Sequence, residues 1–181
     1  MKNEVQISVL FALMLMLGLS ACLSSNKMIR SDGLKAIKLG EPIPKEGTPK
    51  LSKIPLRDSI IIEGEYSWRA VLMEYKGGLV YLEEDFFGSG NLSRVRVETP
   101  ELKLKNGLRV GKLVADLKAE SNKWYIVPLR KYHVFDFYSR TFPRLHFLVD
   151  DPARGMADEN WEAYQLEQFD LEAKIVAIVV L

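Results

Sequence analysis

The chain has 181 residues, 48% hydrophobic and 27% charged, and its 25 basic and 24 acidic side chains leave a net charge of +1. That balance argues against a nucleic-acid footprint and against a polybasic membrane patch, and the apolar share argues for folding over disorder. One cysteine excludes an intrachain disulfide, so the fold must hold together by burial alone.

The first six residues are short and polar, with Lys2 offset by Glu4. Residues 7–17 are almost wholly apolar, and Gly18 opens a stretch of small residues. This is the layout of a secretory signal, and the apolar run is well short of the roughly 20 residues a spanning helix needs. Leu19-Ser20-Ala21-Cys22 resembles the lipobox of bacterial lipoproteins. The resemblance implies cleavage of residues 1–21 as a signal peptide and lipid attachment at the Cys22 thiol, with the acyl chains anchoring the protein to the membrane. The other reading is an uncleaved anchor with a free cysteine. Residues 22–28 then form a short tether that holds a single globular domain, 29–181, close to the bilayer. Leu23 in place of aspartate, by resemblance to lipoprotein sorting in two-membrane bacteria, implies the outer membrane. No acidic run of the kind that accompanies surface export follows Cys22, so the expected address is the periplasmic face.

Gly40 to Pro55 contains Pro42, Pro44, Gly47, Pro49 and Pro55 and reads as an extended surface connection. Ile60-Ile61-Ile62 starts a strand. Trp68–Met73 and Gly78–Leu82 read as strands around a hairpin turn at Tyr75-Lys76-Gly77-Gly78. Gly88-Ser89-Gly90-Asn91 is the next turn. Ser93–Thr99 alternates, with Val95 and Val97 on one face and Arg94, Arg96 and Glu98 on the other, and Pro100 ends it. Asn106-Gly107 is a tight turn. Val110–Ala119 has helical spacing at Leu113, Val114 and Leu117. Trp124–Val127, Tyr132–Tyr138 and Arg144–Asp150 read as strands, the second placing His133, Phe135 and Phe137 on one face. Asp150–Glu162 reads as a loop, and Trp161, Tyr164, Leu166 and Phe169 as a segment docked on the core. Lys174–Leu181 is a continuous β-branched run, read as a buried C-terminal strand. These elements predict an α+β fold, mainly antiparallel sheet with one or two short helices.

Weak internal echoes read either as a duplication into two similar halves, 29–99 and 100–181, or as the chance likeness of segments that any β-rich chain shows. Leu39-Gly40 echoes Val110-Gly111, each after a polar-Gly-Leu turn. Leu82-Glu83-Glu84-Asp85 echoes Leu148-Val149-Asp150-Asp151, and Ser93–Val97 echoes Ala173–Val179. The same segments, Val95–Pro100, Lys105–Gly111, Phe147–Asp150 and Ala173–Ile178, resemble a set of small uncharacterised lipoproteins common in Bacteroidetes-type bacteria. That resemblance implies no activity. Gly107–Gly111 also looks like the small envelope-assembly lipoproteins of the BamE type, whose compact length and paired cysteines or long helices this chain lacks.

Catalytic chemistry finds little purchase. His133 and His146 are the two histidines, and a zinc site would need further ligands such as Asp136 or Asp150, with no His-x-x-x-His spacing to place them. Glu83-Glu84-Asp85 and Asp150-Asp151 are paired carboxylates at expected turns, where they read as solvated rather than as acid–base pairs or a calcium loop. There is no Gly-x-Ser-x-Gly elbow and no phosphate-binding glycine loop. Arg130, Lys131 and Tyr132, and Arg140, Phe142 and Arg144, read either as a basic aromatic surface for sugars or anionic lipid, or as arginine stems lying on an ordinary sheet face. The expected function is a non-enzymatic, membrane-anchored binding or interaction module in the envelope. It has no cofactor, no metal, no catalytic residue and no nucleic-acid partner, and its partner is an envelope protein or glycan. The alternative is an envelope hydrolase or carbohydrate-binding factor whose site is assembled from distant residues.

Overall fold

The computed structural model describes residues 28–51, 53–121, 123–154 and 164–181. The signal, Cys22, nearly all of the tether and Trp161 lie outside these residues. Among the described residues no helix is long and apolar enough to cross a membrane.

Eight strands form one antiparallel sheet. They are β4 (Leu56–Glu63), β5 (Tyr66–Tyr75), β6 (Gly78–Glu84), β7 (Leu92–Val97), β8 (Tyr125–Leu129), β9 (Val134–Tyr138), β10 (Leu145–Asp150) and β11 (Lys174–Val180), in spatial order 4-5-6-7-11-10-9-8. The sheet is thus two four-stranded meanders that meet where β7 pairs with β11. Three two-residue strands, β1 (Ile29–Arg30), β2 (Gly33–Leu34) and β3 (Ile37–Lys38), form a separate small sheet. The one α-helix among the described residues, α1, spans Val114–Glu120. The domain is therefore mainly antiparallel β, and broadly of the expected class.

Local chemistry fixes the register. β5 and β6 are joined by Lys76-Gly77, both at positive φ (48° and 81°), which matches the right-handed twist of the flanking strands. The next residue, Gly78, runs so close to β7's exit that an added Cβ would lie 2.5 Å from the buried Thr99 Cβ. Val95 and Val97 pair with Val180 and Ile178 on one side and with Leu82 and Val80 on the other. All six lie in the core, so strict alternation in β7 translated directly into a buried face. The β-branched run of β11 sits between β7 and β10, in the interior of the sheet, which is why it lacks a polar face.

The core occupies one face of the sheet. Phe135, Phe137 and Phe147 are fully buried there beneath Val114 and Leu117 of α1, the β1–β3 sheet, and Leu166 and Phe169. Phe169 meets the Phe135 and Phe137 rings edge-on at 4.8 and 4.9 Å, and Tyr164 meets Phe135 at 5.4 Å. Trp124 stacks on Phe142 at 5.9 Å.

Each meander is preceded by a glycine turn that docks on its last strand. The Gly40 N–H donates to Leu92 O and the Leu92 N–H to Glu41 O, while the Gly111 N–H donates to Ile175 O and the Ile175 N–H to Lys112 O. The next contacts run Ile43 N–H to Gly90 O and Val114 N–H to Ala173 O. Each meander also carries a bulge within its last strand. Between β6 and β7 the extra residue is Ser93, and between β10 and β11 it is Val176.

Three expectations need correction. His133 does not share a face with Phe135 and Phe137. It ends a 3-10 turn, Arg130–Tyr132, in the left-handed conformation (φ 53°), exposed, and β9 begins after it. The helix starts four residues later than its spacing suggested, because the Val110-Gly111-Lys112 segment is held on β11 by backbone hydrogen bonds. Gly40 to Pro55 is not simply a surface connection. Ile43 and Leu51 are buried in the core, and Pro49–Leu51 is a 3-10 turn.

Candidate functional site: a cleft on the open face of the sheet

The second face of the sheet carries no helix among the described residues, yet it is not a flat solvated surface. Ala70, Leu72, Glu83, Ala177 and Val179 all point to it and are buried. The sheet curls on itself, so that Tyr132, in the turn between β8 and β9, donates a hydrogen bond to Glu63 Oε1 at the far end of β4. A cleft of about 470 Å³ lies within this curl. Its floor is apolar: Leu148, Val176, Ala177 and Val179, with Leu129 and Val134 at one side. Its walls are polar, and their charged side chains pair with one another or with Tyr132.

On the β7 side, Arg94 donates through Nε and Nη2 to Glu83 Oε2, and Trp68 Nε1 donates to the same oxygen at 2.9 Å. The guanidinium lies 5.2 Å from the Trp68 ring centroid. Glu83 is 1% exposed, so these three donors offset the cost of burying a carboxylate. The expectation that Glu83 and Glu84 are solvated turn residues is thereby corrected. Both lie in β6, and Glu84 accepts from the Gly90 N–H to hold the following turn. Arg96 lies over the Tyr81 ring at 4.0 Å and 3.3 Å from Glu98 Oε1, but its buried Nε makes no hydrogen bond.

On the β9–β10 side, His146 Nδ1 is 2.8 Å from Asp136 Oδ2, and the imidazole stacks on Tyr138 at 5.1 Å. Cross-strand pairing brings these groups together: His146 is opposite Tyr138, and Leu148 opposite Asp136. At the mouth, burial first and the Glu63 carboxylate second push the Tyr132 phenol up to about 12, so it remains a donor throughout the ordinary pH range.

An Asp–His pair fixes the imidazole's tautomer and orientation, as a general base requires. Among the described residues no serine, threonine or cysteine lines the cleft, so the pair has no such hydroxyl or thiol beside it to activate. Of the residues weighed for zinc, the structure joins His146 with Asp136 and leaves His133 apart. Among the described residues no three of His, Cys, Asp and Glu gather as a metal site would need. Asp151 is another correction. It is buried, accepting from the Ala153 and Asp170 N–H groups at 3.1 and 3.0 Å, and so clasps two loops. Asp85 does stand at a turn, accepting from the Phe87 and Ser89 N–H groups, and the Ser89 hydroxyl bonded to it holds its carboxyl below the usual value. Of the basic aromatic residues, Lys131 lies 5.4 Å from its neighbour Tyr132, whereas Phe142 belongs to the Trp124 stack.

Glu63, Arg96 and Tyr132 escaped the sequence reading as a group. They come from β4, β7 and the β8–β9 turn, and no local pattern links them. The one signal was the alternation that put Arg94 and Arg96 opposite Val95 and Val97.

No protein-family model matches the chain, and no curated protein matches it in sequence. Among solved structures it is similar to the crystal structure of the uncharacterised protein yfeY from Escherichia coli, with a TM-score of 0.59 and 12% identity over 83% of this chain and 96% of that one. At that identity the likeness extends to the fold alone.

Proposed function

We propose that this protein is a membrane-anchored envelope lipoprotein that works as a non-enzymatic binding module and seats its ligand in the cleft on the open face. The observation that carries the reading is the cleft's make-up: an apolar floor and walls of polar groups paired with one another. Sites for small amphipathic ligands have this balance of apolar lining and few placed polar groups. Lipid attachment at Cys22, the short tether and the periplasmic face of the outer membrane rest on the signal sequence. The partner is then an envelope molecule within reach of the membrane surface, a glycan or a protein segment with an apolar portion.

The Asp136–His146 pair supports a second reading, an envelope hydrolase whose substrate or water supplies the nucleophile. The two similar halves, 29–99 and 100–181, are also proposed. Their support is the matching glycine-turn hydrogen bonds and the matching bulges at Ser93 and Val176.

Two measurements test the main reading. Metabolic palmitate labelling marks the wild type, and Cys22→Ser loses both the label and the membrane-fraction protein. Label persisting on Cys22→Ser would sink the anchor. An amphipathic fluorescent dye, 1-anilinonaphthalene-8-sulfonate, binds the folded protein saturably, and Ala177→Trp, which fills the floor, abolishes binding. Dye binding unchanged in that variant would move the seat elsewhere. Hydrolysis of an ester probe that disappears in His146→Ala would favour the enzyme.

A further inference from the structure

The two outer strands of the sheet are treated differently. β8 is five residues long and carries Pro128, which removes one backbone donor from that edge. β4 is eight residues long, contains no proline and no lysine, and pairs on one side only, with β5. It displays Ile60 and Ile62 at 67% and 68% exposure. Arg57, Asp58 and Glu63 charge its ends, but the stretch Ser59–Ile62 is uncharged, and such a stretch of edge is a template for pairing with another strand.

We propose that β4 is the interface between two copies of this chain, paired antiparallel about a two-fold axis through Ile61. The sequence of β4 selects this register. Centred on Ile61, each exposed Ile60 faces Ile62 of the second copy, so four isoleucines form one apolar row. Ser59 faces Glu63, and Arg57 faces Glu65 in the hairpin turn with opposite charge. Centred on Ile60, Asp58 would face Ile62 twice. Centred on Ser59, Asp58 would face Ile60 twice. Centred on Ile62, Ile60 would face Gly64. Of these centres only Ile61 sets each exposed isoleucine opposite another isoleucine.

The direction of the axis adds a second argument. A residue paired with itself places the axis perpendicular to the sheet, so both copies keep their cores on the same side. The described chain starts at Met28, and the next residue, Ile29, packs in that core. Both described chains therefore begin on one side of the joined sheet, which, resting on the lipoprotein reading proposed above, suits two short tethers entering one membrane. The second copy uses an isologous contact, which closes at two and does not propagate.

Cysteine cross-linking of the full chain in its membrane tests this, with the parent chain as the background for Cys22. Paired Cα atoms in antiparallel strands are about 4.5–5.5 Å apart, within disulfide reach. Ile61→Cys is expected to run at twice the monomer mass on a non-reducing gel after mild oxidation. Ser59→Cys, whose own copy lies four residues along the ladder, about 13 Å away, stays monomeric. So does Val127→Cys on β8. The double variant Ser59→Cys/Glu63→Cys restores the cross-link and carries the test if Ile61→Cys fails to accumulate. Adding Ile60→Lys to Ile61→Cys removes the dimer band. The proposal is overturned if neither Ile61→Cys nor the double variant cross-links. It is equally overturned if Ser59→Cys or Val127→Cys cross-links as well as Ile61→Cys, or if the adduct has any mass other than twice the monomer, which would assign the edge to a different protein.

Discussion

The two meanders share a strand order and differ in how they handle polar groups on the open face. In the first, Glu83 is buried and held by Arg94 and Trp68. In the second, Asp136 and His146 remain 16% and 22% exposed and satisfy each other. A buried carboxylate is tolerable only with all its partners in place, whereas a partly exposed pair can lose one and recover water. The first arrangement therefore serves rigidity. The second is the one that keeps contact with water.

The comparison breaks completely if the seam between the meanders is broken. Val97 is fully buried and joins β6 to β11. Val97→Asp buries an unpaired charge there and is expected to cost about 4 kcal/mol or more. If the meanders fold as one unit, circular dichroism and tryptophan fluorescence, which samples Trp68, Trp124 and Trp161, lose their native signals together. A melt little changed by the substitution would move this strand to the surface.

Removing one partner from each polar pair sharpens the contrast. Arg94→Ala leaves the Glu83 carboxylate buried with Trp68 alone and is expected to cost about 2–3 kcal/mol, discounted because the Arg94 side chain is 33% exposed. His146→Ala is expected to cost about 1 kcal/mol. Urea unfolding of the two variants measures the ratio, and equal losses would erase the distinction drawn between the meanders.

The link across the mouth is worth about as much as the His146 pair. Tyr132→Phe removes one hydrogen bond to Glu63 and is expected to cost about 1 kcal/mol. The folded-state value of the phenol, about 12, lies above its unfolded value of 10. Its contribution is therefore full below pH 10 and lost as pH rises toward 12. Spectrophotometric titration should show one tyrosine ionising late, and Tyr132→Phe should abolish that component.

The smallest expected effect lies at α1. The Asp116 carboxyl accepts from the Leu113 N–H at 2.9 Å and from Lys112 Nζ at 3.1 Å, and these bonds, the backbone one first, hold it below 3.8. Its contribution is present above about pH 4 and is lost as pH falls through the lowered folded-state value. Asp116→Asn should flatten that acid limb and cost about 0.5 kcal/mol at neutral pH, measured by thermal melts across the range.

What the sequence revealed followed the range of each signal. Alternation at Val95 and Val97, the β-branched run from Lys174, and the turns at Lys76-Gly77 and Gly88–Asn91 are local, and each emerged where it was expected. His133 was misplaced because one left-handed residue shifts the start of a strand without changing its composition. The buried roles of Glu83 and Asp151 were illegible because a carboxylate's partners decide its burial, and Trp68, Arg94 and Asp170 are supplied by other strands or loops. The cleft was illegible for the same reason. It exists because a sheet curls, and curl is a property of eight strands together.

The bulge at Val176 carries a consequence for how this protein can change length. Leu148 pairs with Ala177 and Val149 with Ile175, so Val176 is supernumerary to the ladder and its side chain lines the cleft. Deleting it would let Ile175 and Ala177 become neighbours and leave the rest of β11 facing as before. Deleting Ile178 instead would turn Val179 and Val180 over and exchange core for cleft. Of the residues in β11, Val176 is the slot where an omission is silent to the core and audible in the cleft.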